Sequence, residues 1–496
     1  MMAVARADVP AMSLPELLGS SNPSYAETVI SGMQLDSRKI QPGDVFLAMP
    51  GEIYDGRQFI EQAVANGAAA VVAQAPVAGF VDAIAVPLVE LPELRFDAGQ
   101  LAARFYRNPS HGMRVVGTTG TNGKTTTSWI LAQLCRALGQ SCGVIGTLGA
   151  TLEDNISETS NTTPDPLSLQ QQLASWLEQG VITVSMEVSS HALEQGRVNG
   201  VQFETAIYTN LSHDHLDYHG TMEAYGGAKL RLFATEGLRH AVINADDEYA
   251  QHVRAAVVPG ARSITYSVSG APADVRLEQV EFQSTGARGV LHSPWGKTEV
   301  FSPLPGVFNL SNLAAAVAAL AVSGADLQAI VEAVSSLCPV PGRMQVIPNT
   351  LNFQVIVDYA HTPDALEQVL SALRPHVTGS LVTVFGCGGD RDCEKRQVMG
   401  RIACTLSDRV VVTSDNPRSE DPLQIMRDVE LGCSGQYTLE SDRDQAIALA
   451  ISEASGGDCV LIAGKGHEDY QLIEGERLHF SDADQANKAL AGRVTT

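Results

Sequence analysis

Short runs of apolar, largely β-branched residues alternate with longer amphipathic stretches between residues 181 and 463. Each run is too short for a helix and is bounded by glycine, proline or polar residues, which predicts a buried β-strand. The runs lie at 181–184, 203–208, 355–357, 381–385, 409–413 and 459–463. Strands that alternate with helices form parallel α/β sheets. Because such sheets bind ligands at the carboxyl ends of their strands, the residues after each run are the candidates for function.

Two stretches rich in proline and glycine interrupt this pattern and are typical of linkers. Their sequences are RNPSHGM at 107–113 and CPVPGR at 338–343. The sequence therefore predicts an α/β protein of three domains. These are a smaller N-terminal α/β domain at 1–110, a central parallel α/β domain at 111–340 and a C-terminal Rossmann-like α/β domain at 341–496.

A glycine-rich segment, GTTGTNGKTTT at 117–127, lies between an apolar strand predicted at 113–116 and a helix predicted at 125–138. Its glycines let backbone N–H groups surround a phosphate chain, which Lys124 would neutralise, and the Thr125 hydroxyl can ligate magnesium. The standard P-loop pattern is missed, because it needs a glycine where Thr118 stands. A turn without a ligand is the alternative. The strand-loop-helix setting favours nucleoside triphosphate binding by a P-loop, ATPase-like central domain.

Polar residues follow the next two predicted strands. Glu187 follows the run at 181–184 and could share a magnesium ion with Thr125. The sequence NLSHDHLD at 210–217 concentrates histidine and aspartate, and either a metal or phosphate contact or a solvated polar loop would account for it. Lys229 lies on a predicted helix, where its spacing alone predicts a solvated lysine.

Four loops follow the predicted strands of the last domain and carry charged and polar residues. They are DYAHTPD at 358–364, GCGGDRD at 386–392, SDNPRSED at 414–421 and GKGHEDY at 464–470. Such sequences also make ordinary turns, but four at one sheet edge favour binding of a polar ligand. Arg418 can pair with a carboxylate while Asp415 or Glu468 takes an ammonium, which suits a zwitterionic amino acid.

Composition narrows the class of partner. The formal net charge of −23 argues against nucleic acid, which needs a basic surface, but not against a small anion held by local cations and metal ions. No stretch has the length and hydrophobicity of a signal sequence or a membrane span, so we expect a cytoplasmic protein without membrane insertion. The eight cysteines lack C-x-x-C spacing, and Cys387 and Cys393 are predicted to be reduced thiols and not zinc ligands.

The motifs, taken together, resemble those of the Mur ligase family, the ATP-dependent enzymes that extend the peptide of peptidoglycan precursors. The similar segments follow the family's order along nearly the whole chain. They are LDSR at 35–38, GTTGTNGKTT at 117–126, NTT at 161–163, MEVSSH at 186–191, NLSHDHLD at 210–217, GVFNLSN at 306–312, PGR at 341–343, DYAH at 358–361, DNPR at 415–418 and GKGHEDYQ at 464–471.

The resemblance implies an ADP-forming ligase that uses ATP and Mg²⁺. We expect it to join meso-2,6-diaminopimelate to the D-glutamate of UDP-N-acetylmuramoyl-L-alanyl-D-glutamate through an acyl phosphate, in peptidoglycan and cell wall synthesis, and to be a monomer. One alternative is the same ligation with L-lysine. Others are a ligase like folylpolyglutamate synthase and a non-catalytic nucleotide-binding regulator.

The resemblance also assigns residues to each ligand. The catalytic residues would be Lys124, Glu187, His215 and Lys229. The metal ligands would be Thr125, Glu187, His215 and Lys229, the last as a carbamylated lysine. The ATP site comprises Gly120, Thr121, Asn122, Gly123, Lys124, Thr125, Thr126, Asn309, Arg343 and Asp358. The UDP-sugar peptide would contact Leu35, Ser37, Glu52, Ile53, Tyr54, Asn161, Thr162, Thr163, Ser189, Gln195 and Arg197. Diaminopimelate would contact Arg391, Asp415, Asn416, Pro417, Arg418, Gly464 and Glu468.

Overall fold

The structure is a computed structural model that describes residues 11–20, 25–51, 54–81, 84–153, 155–159, 161–283 and 286–494. The chain folds into two compact units. The first comprises Met1–Arg276 and Asn312–Ile330, and the second comprises Leu277–Ser311 and Val331–Thr496. None of the helices among the described residues combines the length and hydrophobicity that crossing a membrane requires.

The first unit begins with a four-stranded parallel sheet. The elements of this region are β1 (Met12–Ser13), α1 (Leu14–Leu18), β2 (Val29–Ile30), β3 (Gly32–Gln34), β4 (Asp44–Ala48), α2 (Ile60–Ala65), β5 (Ala70–Gln74), β6 (Leu88–Leu91) and α3 (Leu94–Phe105). The sheet order is β3-β4-β5-β6, and β1 pairs with β2 separately. Along β4, Val45 and Leu47 enter one apolar cluster and Phe46 and Ala48 another. Because successive side chains of a strand point to opposite faces, both faces of this sheet are covered.

A second, larger sheet carries the glycine-rich segment. Its region comprises β7 (Arg114–Thr119), α4 (Lys124–Ala137), β8 (Cys142–Gly146), β9 (Gly149–Leu152), β10 (Asn155–Ser157), α5 (Pro166–Glu178), β11 (Thr183–Glu187), α6 (Ser190–Glu194), β12 (Thr205–Tyr208), α7 (Leu216–His219), α8 (Met222–Phe233), β13 (His240–Asn244), α9 (Ala250–Ala256), β14 (Arg262–Ser267) and β15 (Val275–Gln283). Strand β7 lies between β11 and β12, and all three are parallel. Their carboxyl ends therefore meet at one edge.

The chain continues with β16 (Gly286–Ser293), β17 (Gly296–Ser302), α10 (Val307–Val322) and α11 (Leu327–Val334). Strands β16 and β17 follow β15 at one edge of the larger sheet. Strands β16 and β17 pair as an antiparallel hairpin in the second unit. Within that unit, Gly306 N–H, which precedes α10, donates to His376 Nε2 at 3.1 Å.

The second unit is built on a doubly wound sheet. The remaining elements are β18 (Gln345–Val346), β19 (Gln354–Asp358), α12 (Pro363–Leu373), β20 (Leu381–Phe385), α13 (Glu394–Leu406), β21 (Arg409–Val412), α14 (Pro422–Glu430), β22 (Tyr437–Leu439), α15 (Arg443–Glu453), β23 (Cys459–Ala463), β24 (Tyr470–Ile473), β25 (Glu476–His479) and α16 (Asp482–Val494). The sheet order is β18-β19-β23-β20-β21-β22. Apart from β18, these strands are parallel. Strands β24 and β25 form a separate hairpin.

The predicted α/β class with parallel sheets is confirmed. Strands β20 and β23 coincide with the apolar runs at 381–385 and 459–463. The run at 181–184 predicts its strand two residues early, because β11 spans Thr183–Glu187. The polar residues at the end of β11 still pair with the neighbouring strand, since Glu187 lies opposite Thr118 of β7. Glu187 is therefore the last residue of the strand.

Candidate functional site

The glycine-rich loop joins β7 to α4 in a backbone conformation that suits glycine. Gly120 has φ +151° and Gly123 has φ +87°. A Cβ at Gly120 would overlap the Thr209 hydroxyl, and one at Gly123 would overlap Asn312 Oδ1. Both glycines are therefore needed for the close approach of neighbouring chain segments.

Two lysine amines converge on this loop. Lys124 Nζ donates to the carbonyl oxygens of Gly120 at 2.9 Å and Thr121 at 2.8 Å. Lys229 Nζ donates to the same Gly120 oxygen at 2.9 Å. The structure thus brings together the two lysines that the family resemblance assigns to catalysis.

The solvated helix lysine that spacing alone predicts at position 229 is wrong. Lys229 is 1% exposed, because this face of α8 packs inward, and its amine lies 4.2 Å from the ring centre of Tyr225, one helical turn earlier. Burial, followed by the nearby charge of Lys124, lowers the pKa of the Lys229 amine well below its ordinary value, while Asp214 opposes the shift. A lysine in this setting favours the neutral, nucleophilic amine.

Glu187 faces the start of α4. Its Oε2 accepts hydrogen bonds from the hydroxyls of Thr125 at 2.9 Å and Thr147 at 3.2 Å, and its Oε1 accepts one from Thr147 N–H at 2.8 Å. Both Glu187 and Thr125 are buried. A carboxylate and a hydroxyl that converge in this way offer the hard oxygen ligands that Mg²⁺ prefers.

His215 lies among other rings at the start of α7. Its ring contacts those of His191 and Tyr225, and its Nε2 lies 3.4 Å from Asp214. Burial lowers the pKa of His215, and Asp214 partly opposes this. Within the described ranges, no group of three or more His, Cys, Asp or Glu side chains is arranged to hold a metal ion.

Residues that the resemblance assigns to the substrate peptide cluster beside Glu187. Thr163 Oγ1 donates to the Glu187 carbonyl at 2.9 Å and accepts from Ser189 N–H at 3.1 Å. Arg197 donates to the Thr163 carbonyl at 3.1 Å and to Gln195 Oε1 at 2.7 Å. Thr162 and Thr147 share a hydrogen bond of 3.2 Å between hydroxyls, and Asn161 precedes Thr162 in the chain. The sequence-distant segments 161–163 and 189–197 thus form one surface.

The described residues assigned to the UDP group lie in segments next to strands β3 and β4 of the first sheet. Ser37 is buried and donates its hydroxyl to Gln62 Oε1 at 2.9 Å. Leu35 packs against the apolar cluster around Val45, and Tyr54 is 71% exposed. Glu52 and Ile53 lie outside the described residues.

The residues assigned to the nucleotide in the second unit include a buried carboxylate. Asp358, at the end of β19, accepts hydrogen bonds from the N–H groups of Met344 at 2.7 Å and Ala360 at 2.8 Å. Burial raises the pKa of Asp358 although Arg343 lowers it. The Arg343 guanidinium lies 4.6 Å from the Tyr359 ring centre. Asn309 donates to the Pro305 carbonyl at 2.7 Å, at the beginning of α10.

The loops assigned to the amino acid meet at the carboxyl ends of β20, β21 and β23. Asn416 donates to Glu468 Oε2 at 2.9 Å, and Arg418 donates to the Gly389 carbonyl at 2.8 Å. Arg418 has φ +54°, and its backbone is held by Leu472 and Glu474 at 2.9 and 2.8 Å.

The other residues of this set adjoin the same loops. A Cβ at Gly388 would lie 2.9 Å from Arg418 Nη1 and 3.9 Å from Arg391 Cγ, so the two arginines flank one glycine. The Pro417 carbonyl lies against Gly389, and Gly464 faces Asp415. The structure therefore gathers the whole set predicted for diaminopimelate.

Sequence reasoning missed Thr147 and Lys465. Thr147 directly follows β8 and binds Glu187, so the rule that function follows parallel strands could have found it. Lys465 lies inside the segment at 464–470 and contacts Asp415, Asn416 and Glu468. Its only sequence signal is a lysine directly after a strand-end glycine.

Three family models match the chain in succession. The Mur ligase family catalytic domain matches residues 29–106, the Mur ligase middle domain 118–320, and the Mur ligase glutamate ligase domain 342–466. The chain belongs to the Mur ligase family.

The names of similar proteins specify one reaction within this family. UDP-N-acetylmuramoyl-L-alanyl-D-glutamate–2,6-diaminopimelate ligase of Synechococcus elongatus is 46% identical over 97% of this chain and 99% of its own length. The ligase of the same name from Ectopseudomonas mendocina is 47% identical over 97% of this chain and 98% of its own length. A solved structure of a ligase of this name superposes with a TM-score of 0.77 at 40% identity, covering 98% of this chain and 100% of that one.

Proposed function

We propose that the chain ligates meso-2,6-diaminopimelate to the D-glutamate of UDP-N-acetylmuramoyl-L-alanyl-D-glutamate, with ATP converted to ADP and phosphate. The observation that carries this proposal is the full-length match, 46% and 47% identical, to ligases named for this reaction. Three domains, at 1–110, 111–340 and 341–496, would bind the UDP-sugar, ATP and the amino acid respectively. A monomeric state and a cytoplasmic location remain predictions from the sequence.

The loop at 117–127 is proposed to hold the ATP phosphates. Its glycines, the N-terminus of α4 and the Lys124 amine together form the cradle that this chemistry needs. The Lys124 amine now donates to two loop carbonyls, and those bonds would be exchanged for phosphate oxygens. Asn309, Arg343 and Asp358 are proposed to contact the rest of the nucleotide.

Thr125, Glu187, His215 and Lys229 are proposed to hold magnesium, which when bound would neutralise phosphate charge. The donor set fits, because Thr125 and Glu187 converge within 2.9 Å. The lowered pKa of Lys229 also fits, since a neutral amine can add carbon dioxide and become an anionic carbamate ligand. With loss of a proton, Lys229 would then change from a neutral amine beside Lys124 to an anionic counter-ion of Lys124.

Activation of the acceptor follows from electrostatics. A carboxylate resists attack by an amine, so the proposed reaction first moves the γ-phosphoryl group of ATP onto the D-glutamate γ-carboxylate. Lys124 would offset the charge that accumulates between these two anions. The cluster of Thr163, Ser189 and Arg197 beside Glu187 would hold the peptide so that its carboxylate faces the phosphate cradle.

The second step is attack by a neutral amine on the acyl phosphate, with loss of phosphate from a tetrahedral intermediate. Arg391 and Arg418 are proposed to hold a carboxylate of diaminopimelate, and Asp415 and Glu468 its ammonium group. Arg418 is held in the left-handed region by two backbone hydrogen bonds, so its direction is fixed before the amino acid arrives.

The proposed function is tested by ADP release from the purified chain with ATP, Mg²⁺ and the UDP-sugar dipeptide. We expect rapid ADP release on addition of meso-diaminopimelate, a product with the mass of the UDP-sugar tripeptide, and little release with L-lysine. Reactions that lack one substrate serve as controls. Release with lysine alone would overturn the amino-acid assignment, and no release with either would overturn the ligase assignment.

A further inference from the structure

A buried lysine joins the loops of the amino-acid site. Lys465 follows β23 by two residues, and its side chain is fully buried. Its Nζ donates to Asp415 Oδ1 at 3.3 Å, Asn416 Oδ1 at 3.0 Å and Glu468 Oε2 at 3.4 Å. An ammonium group carries three N–H donors, so these three side chains use all of them. The proposed reaction assigns no role to Lys465.

The contacts leave one oxygen of each carboxylate for another partner. Glu468 accepts from both Lys465 and Asn416 through Oε2, and Asp415 accepts from Lys465 through Oδ1. Asp415 Oδ2 faces Gly464, where a Cβ would lie 3.4 Å away, so the absent side chain leaves room. In the part of the chain that the structure describes, neither Glu468 Oε1 nor Asp415 Oδ2 accepts a hydrogen bond.

Charge explains why a cation belongs here. Asp415 and Glu468 both contact the buried Lys465 amine, and two carboxylates brought this close together repel each other. Lys465 offsets this repulsion and leaves one net negative charge in the group of three. The neighbouring Arg443 and Asp482, both fully buried, neutralise each other at 2.7 Å. The cluster therefore matches a single incoming ammonium group.

We propose that Lys465 is a positioning residue for the amino-acid substrate. It fixes Asp415, Asn416 and Glu468 so that Oδ2 and Oε1 receive the substrate ammonium, and it touches no reacting atom. This inference rests on the proposed function, because it assumes that these loops bind the amino acid. It goes beyond that function because it assigns a role to the buried Lys465. This role affects the affinity for the amino acid and not the affinities for the other two substrates.

The first test compares Lys465→Met with the wild type and with Lys488→Met, an exposed lysine of the same unit whose side chain is 70% accessible. We expect Lys465→Met to raise KM for diaminopimelate by about tenfold or more, the value of a lost hydrogen bond to a charged group. KM for ATP and for the UDP-sugar dipeptide should change by less than about twofold. Lys488→Met should resemble the wild type throughout.

A second set of variants separates charge from packing. Lys465→Arg keeps a cation and should retain more affinity than Lys465→Gln. The thermal unfolding midpoint shows which variants are folded. If Lys465→Met is not folded, the comparison of Lys465→Arg with Lys465→Gln tests the proposal instead.

Three results would overturn the role of Lys465. They are an unchanged KM for diaminopimelate without the lysine, an equal rise of all three KM values, and an arginine variant whose affinity for diaminopimelate is no higher than that of the glutamine variant. The wild-type arm tests the proposed function separately. If the wild type uses L-lysine, the same comparison with L-lysine still decides the role of Lys465, whereas a wild type without any ligase activity removes the premise.

Discussion

At the scale of single residues, the surroundings give three lysines different chemistry. Lys124 spans its own loop and can turn to phosphate, while Lys229 is buried beside that positive charge and has a lowered pKa. Lys465 is equally buried but lies between two carboxylates. Burial beside a cation favours the neutral form of an amine, whereas the Lys465 amine is fixed by its hydrogen bonds to two carboxylates.

Lys124 gives the clearest prediction at this scale. We expect Lys124→Ala to lower kcat for ADP release by about a thousandfold or more, because it removes the cation aimed at the developing phosphate charge. The two carbonyls that lose this donor belong to the same loop, so the thermal unfolding midpoint should stay close to that of the wild type. Lys488→Ala is the control at an exposed position. Substantial activity in Lys124→Ala would contradict the phosphate-loop assignment.

The sequence predicted such residues only where the signal is local. The loop at 117–127 carries its glycines, lysine and threonine in one segment, so its chemistry could be inferred directly. Lys229 and Lys465 could not be interpreted from spacing, because their neighbours Gly120 and Asp415 lie 109 and 50 positions away in the chain. Resemblance to a family supplied the role for Lys229, and only the fold revealed Lys465.

At the scale of elements, the apolar runs predicted the strands but not their order. Strand β23 is late in the chain and yet lies between β19 and β20, which puts Gly464 beside Asp358. A continuous apolar run predicts that a strand is buried on both faces, but it does not predict which strands lie next to it in the sheet. That the four loops share an edge was therefore an inference from the parallel class, and the order of the strands decides which loops touch.

Helix α13 connects the amino-acid loops through a buried arginine. Arg396 has a side chain that is 2% exposed, and it binds Glu420 and Asp428 at 2.8 Å each. Glu420 also accepts a hydrogen bond from the N–H group of Asp390, the residue before Arg391. Arg396 thus ties α13 to α14 and, through Glu420, to the loop that bears Arg391.

We expect Arg396→Met to destabilise the fold by about 2–4 kcal/mol, since it leaves two partly buried carboxylates without their partner. It should also raise KM for diaminopimelate, because Glu420 no longer holds the loop at Asp390. Urea unfolding and steady-state kinetics measure the two effects. Arg401→Met, at an exposed position on the same helix, should change stability by less than about 0.5 kcal/mol. Equal stability of the two variants would rule out this role of Arg396.

At the scale of the whole molecule, acidic and basic residues are unevenly distributed. The chain has 56 acidic and 33 basic residues, yet cations gather where the ligands are proposed to be negative. The composition argues against a nucleic-acid partner but could not locate these cations, because a residue count carries no information on position. Because so many acidic residues titrate, the pH dependence of stability below neutral pH is a property of the whole chain. One partly buried histidine, His467, makes a contribution to it that can be measured.

His467 is held neutral by its surroundings. Its ring lies 5.2 Å from that of Tyr359, and its Nδ1 is buried without a hydrogen-bond partner among the described residues. Burial, then the positive charge of Arg343, lowers the pKa of His467 to about 4 from an ordinary 6.5, against a weaker opposing effect of Asp469. Between these two pH values the unfolded chain binds more protons at His467 than the folded one.

Stability should therefore fall as pH falls from 6.5 towards 4, and the histidine should have no such effect above 6.5. At pH 5.5 the histidine lowers the free energy of unfolding by about 1 kcal/mol relative to neutral pH. This pH is still above the isoelectric point of about 4.9. His467→Phe removes the titrating group, so we expect it to lose less stability than the wild type between pH 7.5 and pH 5.5. The urea midpoints of both proteins at both pH values measure this, with His111→Phe, an exposed histidine, as control. An identical pH dependence in the wild type and His467→Phe would show that His467 titrates normally in the folded chain.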